Sequence, residues 1–274
     1  MFEYEINLLK EWIERDNQFF DIASYELRRK ETKGTIILKN SNVILSGIEI
    51  IEKLLKEYKI KTEFYFKDGN FVKSGIIGKI SGNAYNILTV ERTMLNILSL
   101  MSAIATKTNK LVSKINGKTK LAATRKVFPG LGNLEKIAVL HGGGDTHRWS
   151  LSESIMIKDN HIKLYDGVEN AISAVKKYKS FTKKIEIEVE SKDDAFLAIK
   201  SGVDIIMLDN FDSKNAKILA RELKERYPQI IIEVSGGISE DNYLEYVDDN
   251  IDIISMGKLT TEVNYIDFSL EITN

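Results

Sequence analysis

Apolar side chains in the first part of the chain recur at two different spacings. Ile6, Leu9, Trp12 and Ile13 fall on one face at the helical period, which predicts a helix over residues 4–13. The runs 35–38, 42–45, 63–66 and 75–80 read as short strands, with Asp68-Gly69 as a turn before the last of them. Residues 48–58 form an amphipathic helical pattern between these strands. A long helix follows, its stripe carried by Leu88, Leu95, Leu98, Met101, Ala105, Leu111 and Val112. Helices and strands mix here without regular alternation, so an α+β domain is expected over residues 1–100.

The pattern then becomes regular. Residues 120–124, 154–157, 185–189, 204–208, 230–234 and 252–255 are short runs rich in β-branched side chains. Helical patterns at 167–178, 192–200, 213–226 and 240–247 lie between the later runs. Continuous apolar runs alternating with helices are what buried parallel strands and their crossovers produce. The repeat of roughly 20–30 residues is that of a (β/α) barrel. A barrel domain is expected over 101–261.

The C-terminal edges of these strands are polar. They carry Arg125 and Lys126, then Lys158-Asp159-Asn160-His161, Glu188 and Glu190, Asp209 and Asn210, Ser235-Gly236-Gly237, and Met256-Gly257. In a parallel barrel all such ends share one face, the face that holds active sites. Strands also end where polar loops begin, but that does not account for Lys158-Asp159-Asn160-His161 directly after Ile155-Met156-Ile157.

Composition narrows the chemistry. The 274 residues include no cysteine, which removes disulfides, thiolate zinc sites, iron–sulfur clusters and cysteine nucleophiles. The three histidines, His141, His147 and His161, lack the helical pairing of a histidine-ligated zinc site. Thirty-nine Lys and Arg balance forty Asp and Glu, so no bulk charge favours nucleic acid. Residues 1–15 lack the apolar run of a signal peptide. The apolar stretch 88–115 is interrupted by Glu91, Arg92, Lys107, Lys110 and Lys114. These features predict a cytoplasmic protein with no membrane partner.

Three groups of residues then suggest a site. Ser235-Gly236-Gly237 is a phosphate-binding candidate, because glycine lets backbone N–H groups approach an anion and a helix start at Ser239 or Glu240 would add its dipole. Gly257, on the next strand end, would complete the cup. Arg92, Arg125, Lys126, His147, Arg148 and Lys158 form a basic set, with His147-Arg148 following the flexible Gly142-Gly143-Gly144 segment. Converging guanidinium groups suit planar carboxylates or a phosphorylated co-substrate. Glu188 and Asp209 could bind magnesium jointly with substrate phosphates, or pair with Lys126 or Lys158.

Taken together these segments are recognisable. Glu91-Arg92-Thr93, Thr124-Arg125-Lys126 with Pro129-Gly130, Leu134-Glu135-Lys136, Gly142-Gly143-Gly144, His147-Arg148, Ile157-Lys158-Asp159-Asn160-His161, Glu186-Ile187-Glu188-Val189, Leu208-Asp209-Asn210 and Val234-Ser235-Gly236-Gly237-Ile238 stand in the order seen in quinolinate phosphoribosyltransferases. The chain closely resembles that family, strongly from about Val90 onward and more loosely before it.

The resemblance implies an α/β fold with an N-terminal α/β sandwich domain plus an irregular open (β/α) barrel domain, and a C-terminal tail, 262–274, that packs back on the first domain. It implies transfer of a phosphoribosyl group from phosphoribosyl pyrophosphate to quinolinate with decarboxylation, in a homodimer with shared active sites or a higher oligomer. Carried over, Arg125, His147, Arg148 and Lys158 would surround quinolinate with Arg92 of the other subunit. Lys126, Glu188 and Asp209 would be the catalytic set, attending phosphoribosyl pyrophosphate and its Mg2+, the metal resting on Glu188 and Asp209. Thr124, Ser235, Gly236, Gly237 and Gly257 would complete substrate binding, with the last four holding the 5′-phosphate.

The chain departs from the family pattern at Ala123, Val127-Phe128, Lys258 and Thr261. Phe128-Pro129-Gly130 and Leu151-Ser152-Glu153 are similar to the molybdenum-associated relatives, but Lys158-Asp159-Asn160-His161 favours quinolinate. The rival readings are a paralogous phosphoribosyltransferase for another anionic heterocycle and a non-catalytic sugar-phosphate-binding barrel.

Overall fold

The computed structural model describes residues 2–273. In chain order the first elements are α1 (Glu3–Asp16), β1 (Glu31–Leu38), β2 (Val43–Ile44), α2 (Ile48–Glu57), β3 (Lys61–Phe64), β4 (Phe71–Val72), β5 (Gly75–Asn83) and α3 (Ala84–Val112). Then come β6 (Lys120–Ala122), α4 (Gly132–His141), β7 (Ile155–Ile157), α5 (Asp159–Leu164), α6 (Val168–Lys176), β8 (Ile185–Val189) and α7 (Lys192–Lys200). The remainder is β9 (Ile205–Asp209), α8 (Ser213–Arg226), β10 (Ile231–Ser235), β11 (Ile253–Ser255), α9 (Lys258–Thr261) and β12 (Phe268–Thr273).

Two compact units divide the chain. Unit 1 comprises Met1–Asn109, Val127–Gly143 and Leu259–Asn274; unit 2 comprises Lys110–Lys126 and Gly144–Lys258. Residue 100, the expected end of the first domain, lies inside the unbroken helix α3. The segment 127–143, expected with the barrel, clusters with unit 1.

Unit 1 is built on an antiparallel sheet in the order β12-β1-β5-β3. The tail strand β12 pairs with β1 from Lys33↔Thr273 to Leu38↔Phe268. Helix α2 shows why this unit holds: Ile48, Ile50, Ile51, Leu54 and Leu55 are buried, while its charged residues face outward. Helix α3 is long and apolar enough to cross a bilayer by length and composition, yet 67% of its most apolar window is buried in the protein. Leu95, Leu98, Met101 and Ala105 of the expected stripe are all buried, as core side chains should be.

Unit 2 is a six-stranded, wholly parallel sheet in the order β6-β11-β10-β9-β8-β7. The edge strands β6 and β7 do not pair with each other; Ala122 of β6 instead makes one parallel bridge to Asp145, in the loop before β7. The alternation of strands and helices predicts a barrel, and its open form is the one that the family resemblance implies. Ile185, Ile187, Ile206, Leu208, Ile232, Val234 and Ile254 are buried, so the strands carry the apolar runs of a covered parallel sheet. Helices α7 and α8 begin with side-chain caps, Ser191 accepting from Asp194 N and Asp212 from Asn215 N.

One expected element changes. The helix expected at 240–247 is only a 3₁₀ turn over Tyr243–Tyr246. Asn242 competes for the backbone: its Oδ1 accepts from Ser239 N at 2.8 Å and its Nδ2 donates to Gly237 O at 3.2 Å. Tyr243 and Tyr246, three residues apart and both buried, then donate to Leu111 O at 3.1 Å and Phe211 O at 3.0 Å. The dipole expected from a helix at Ser239 or Glu240 is therefore not supplied.

Candidate active site

Twelve of the thirteen expected site residues lie in unit 2; Arg92 lies on an exposed face of α3 in unit 1. Ten of these twelve stand at or just past the C-terminal ends of parallel strands, where apolar runs turn polar, and His147 and Arg148 lie in the loop before β7.

Lys158 follows β7, and its Nζ is ion-paired with Glu188 of β8. The alternative weighed for this carboxylate, pairing with a lysine, is thus present. Glu188 is the better buried partner, its side chain 15% exposed against 42% for Lys158. Lys158 also stands at the N-cap position of α5, where its backbone N–H donates to His161 Nδ1 at 3.0 Å. The Lys-Asp-Asn-His motif is therefore a strand end locked to the first turn of a helix. Asp209 ends β9, and its Oδ2 accepts from Asn210 Nδ2 at 2.9 Å.

The glycine loop after β10 is packed against that turn. Asn210 N donates to Ser235 O at 3.0 Å. Gly236 has φ +89°, and a Cβ there would lie 2.3 Å from Asn210 Oδ1 and 2.5 Å from Asn210 N. Only glycine fits this position. Gly257, after β11, is close to the basic pair: a Cβ would come within 2.9 Å of Lys126 Cδ and 3.4 Å of Thr124 Oγ1. Thr124 Oγ1 in turn accepts from Lys126 N at 3.0 Å, which orders the exposed Arg125-Lys126 corner.

His147 and Arg148 enter from the loop after the glycine segment. Arg148 is 8% exposed; its Nη1 donates to Ser154 O at 3.3 Å, and Nη2 approaches Met156 Sδ at 3.2 Å. Burial and neighbouring Arg125 lower its pKa, although Glu186, Glu188 and Glu233 oppose this. The His147 imidazole points into unit 2, with Nε2 3.3 Å from Glu233 Oε1 and 3.6 Å from Glu186 Oε1. Burial lowers its pKa, the two carboxylates outweigh burial and raise it, and the Arg148 N–H 2.6 Å from Nδ1 opposes the doubly protonated ring.

Glu186 and Glu233 were not among the expected site residues. A signal for Glu186 was present: Glu186 and Glu188 are two apart in β8, so both side chains leave the same face of the strand. Glu233 and Ser235 share a face of β10 in the same way.

Glu188 and Asp209, carboxylates on adjacent parallel strands, offer the oxygen ligands that a magnesium ion prefers, with Glu188 already paired to Lys158. Chemically, unit 2 combines buried and exposed cations for anionic groups, carboxylates for developing positive charge, and a glycine turn open to phosphate.

Sequence comparison places this geometry in context. The family description "quinolinate phosphoribosyl transferase, C-terminal domain" matches residues 104–271, and its N-terminal counterpart matches residues 21–102. The chain is 42% identical over 278 residues to a protein of Methanocaldococcus jannaschii named probable nicotinate-nucleotide pyrophosphorylase [carboxylating], covering 98% of each. It is 31% identical to the human nicotinate-nucleotide pyrophosphorylase [carboxylating], covering 97% of this chain and 90% of that one. The crystal structure of NadC from Streptococcus pyogenes superposes with a TM-score of 0.89 at 33% identity, covering 97% of this chain and 95% of that one. The nicotinate-nucleotide pyrophosphorylase of Francisella tularensis likewise gives 0.89 at 32%, covering 98% and 97%. With both family domains matched in order along the chain and the strand-end residues assembled in unit 2, the protein belongs to the quinolinate phosphoribosyltransferase family.

Proposed function

We propose that this protein transfers the phosphoribosyl group of phosphoribosyl pyrophosphate to quinolinate and releases CO2 and pyrophosphate, leaving nicotinate mononucleotide. The observation that carries this reading is the set of strand ends in unit 2. Lys158 and Glu188 are ion-paired, Lys126 and Thr124 pack beside Gly257, and Asp209 adjoins the Ser235-Gly236 turn.

The residues suit each step. Arg125, Arg148 and Lys158 form the region for the two carboxylates of quinolinate, which guanidinium groups grip bidentately, and His147 adjoins it through Arg148 with both ring nitrogens engaged by the protein. Backbone N–H groups of the Ser235-Gly236-Gly237 turn and Gly257 take the 5′-phosphate. The pyridine nitrogen already carries a lone pair, so its attack on ribose C1 requires no general base. As the C1–O bond to pyrophosphate breaks, positive charge builds on the ribose, and the Glu188 and Asp209 carboxylates stabilise it. Lys126 stabilises the departing pyrophosphate. Magnesium, when bound at Glu188 and Asp209, supplies further neutralisation of that leaving group. The new N–C1 bond makes the ring a pyridinium, whose positive nitrogen stabilises the electron pair left on C2 when the 2-carboxylate leaves as CO2. A proton then adds at C2.

In this reading the protein is a cytoplasmic homodimer, and exposed Arg92 completes the site of the partner subunit. Quinolinate labelled in its 2-carboxylate, supplied with phosphoribosyl pyrophosphate and magnesium, tests the proposal. Labelled CO2 and nicotinate mononucleotide should form together, and neither without phosphoribosyl pyrophosphate. Turnover of another heterocycle but not quinolinate would overturn it, as would CO2 release from quinolinate alone.

A further inference from the structure

Glu186 and Glu233 have no part in the chemistry above, yet they are among the most deeply buried charged side chains of unit 2, each 1% exposed. They project from β8 and β10, the strands flanking β9. Alternate strands of a parallel barrel contribute to one interior layer, ordinarily of branched aliphatic side chains. This layer instead holds two carboxylates. Buried carboxylates need a donor or a counter-charge. Apart from the close His147 Nε2, Oε1 of Glu186 and Oε1 of Glu233 meet no hydrogen-bond donor among the described residues.

His147 is held from its other side as well. Its Nδ1 faces the backbone N–H of Arg148 at 2.6 Å, and its own backbone N–H donates to Asp145 Oδ1 at 2.8 Å. An N–H aimed at Nδ1 calls for a lone pair there, which places the ring proton on Nε2, toward the two carboxylates. The backbone at His147 is left-handed, φ +52°, a conformation that a non-glycine residue holds only when its surroundings enforce it. Arg148 is the next residue, so the ring's anchoring fixes where that guanidinium begins.

We infer that Glu186 and Glu233 are positioning residues that clamp the His147 ring through Nε2–H, hold the strained His147-Arg148 turn, and thereby aim Arg148 at a substrate carboxylate. They touch no substrate themselves. The cavity of about 220 Å³ beside them is lined by Asp145 and Glu153 and also by His147 and Arg148, so the clamp and the guanidinium it places share one wall. The same three ligand atoms lie within 4.8 Å of one another and could surround a divalent ion. A ligating Nε2, however, requires a proton on Nδ1 that donates outward, and Nδ1 here meets a donor. The geometry therefore favours the hydrogen-bonded clamp.

The inference rests on reading Arg148 as a carboxylate-binding side chain, and two measurements separate its failure from failure of that reading. Ring ¹H–¹⁵N correlations on the unaltered full-length protein, with only three histidines to assign, report the proton on His147 without any assay of activity. A proton on Nε2, unchanged when Zn2+ or Mn2+ is titrated alone, is expected. Its absence, or its displacement by one equivalent of either ion, would overturn the clamp. Kinetics of Glu186→Gln and Glu233→Gln supply the second measurement. KM for quinolinate should rise about tenfold in each, with KM for phosphoribosyl pyrophosphate held within about twofold. Equal changes in both constants, or none in the first, would contradict a positioning role. If the unaltered protein does not turn over quinolinate, the proposed function fails while the ring-proton result still stands or falls by itself.

Discussion

Both units gather lysines, and they do so in opposite ways. In unit 1 a cavity of about 340 Å³ is lined by Lys30, Lys33, Lys59 and Lys61 together with Ser81 and Thr273. These four lysines are exposed, and none is in an ion pair among the described residues. They decorate the open face and edge of an antiparallel sheet, where Lys33, Ser81 and Lys61 stand side by side in register. In unit 2, Lys158 is tied to the largely buried Glu188 and locked to the first turn of α5. A basic cluster on a solvated face loses little when it changes; a lysine held by a desolvated partner is placed for one task.

The largest expected effect sets the exposed Lys126 at the strand ends of unit 2 against the exposed lysines of unit 1. Lys126→Ala should lower kcat by roughly 10²–10³-fold if it stabilises the leaving group, whereas the double variant Lys33→Ala, Lys61→Ala should leave steady-state rates within about twofold. Comparable losses would end the distinction between the two clusters. Gly236→Ala comes next. Its new Cβ must displace Asn210, so binding of phosphoribosyl pyrophosphate should weaken about tenfold or more and thermal unfolding should report a loss of about 2–3 kcal/mol.

A third experiment asks whether unit 1 supplies anything to a second subunit. Arg92→Ala and Lys126→Ala should each be nearly inactive. Dissociated and reassembled as a mixture, they should regain about a quarter of the unaltered activity, because each mixed dimer restores one site. No recovery would place Arg92 outside a shared site.

The smallest effect concerns charge buried in unit 1. Burial pushes the Glu135 carboxyl up to about 7, against the Phe128 N–H that favours its ionised form. Its folded value lies above the ordinary one, so the native state holds the proton more tightly and stability falls as pH rises from about 4.5 to about 7. Glu135→Gln should remove that slope, leaving the variant roughly 1–2 kcal/mol less disadvantaged at pH 8 than at pH 4.5 relative to the unaltered protein. Denaturant titrations at the two pH values measure it. A slope that persists would mean that another group of unit 1 titrates there.

Parallel strands made the site legible. Their interiors are apolar by necessity, so Glu188, Asp209 and Ser235 stand out at their ends, and the helices 192–200 and 213–226 coincide with their expected bounds. Glu186 and Glu233 were hidden by the same rule, since a polar residue within a strand ordinarily marks the solvated face, and here that face is the interior. The failure at 240–247 has a local cause: apolar spacing resembled a helix, while Asn242 and two buried tyrosines stabilised a tighter turn. The shift of 127–143 to unit 1 depends on contacts distant in sequence, such as Asn133 Nδ2 to Glu5 Oε1 at 2.7 Å, which no local pattern carries.

The pairing of β12 with β1 has a consequence for synthesis. The strand that covers one edge of β1 is translated only after every residue of unit 2. Until then the N-terminal sheet carries an open β-edge, available to another nascent chain. Unit 2 is thus free to fold on the ribosome before its neighbour is complete, and a stop codon placed after residue 261 would leave that edge permanently bare.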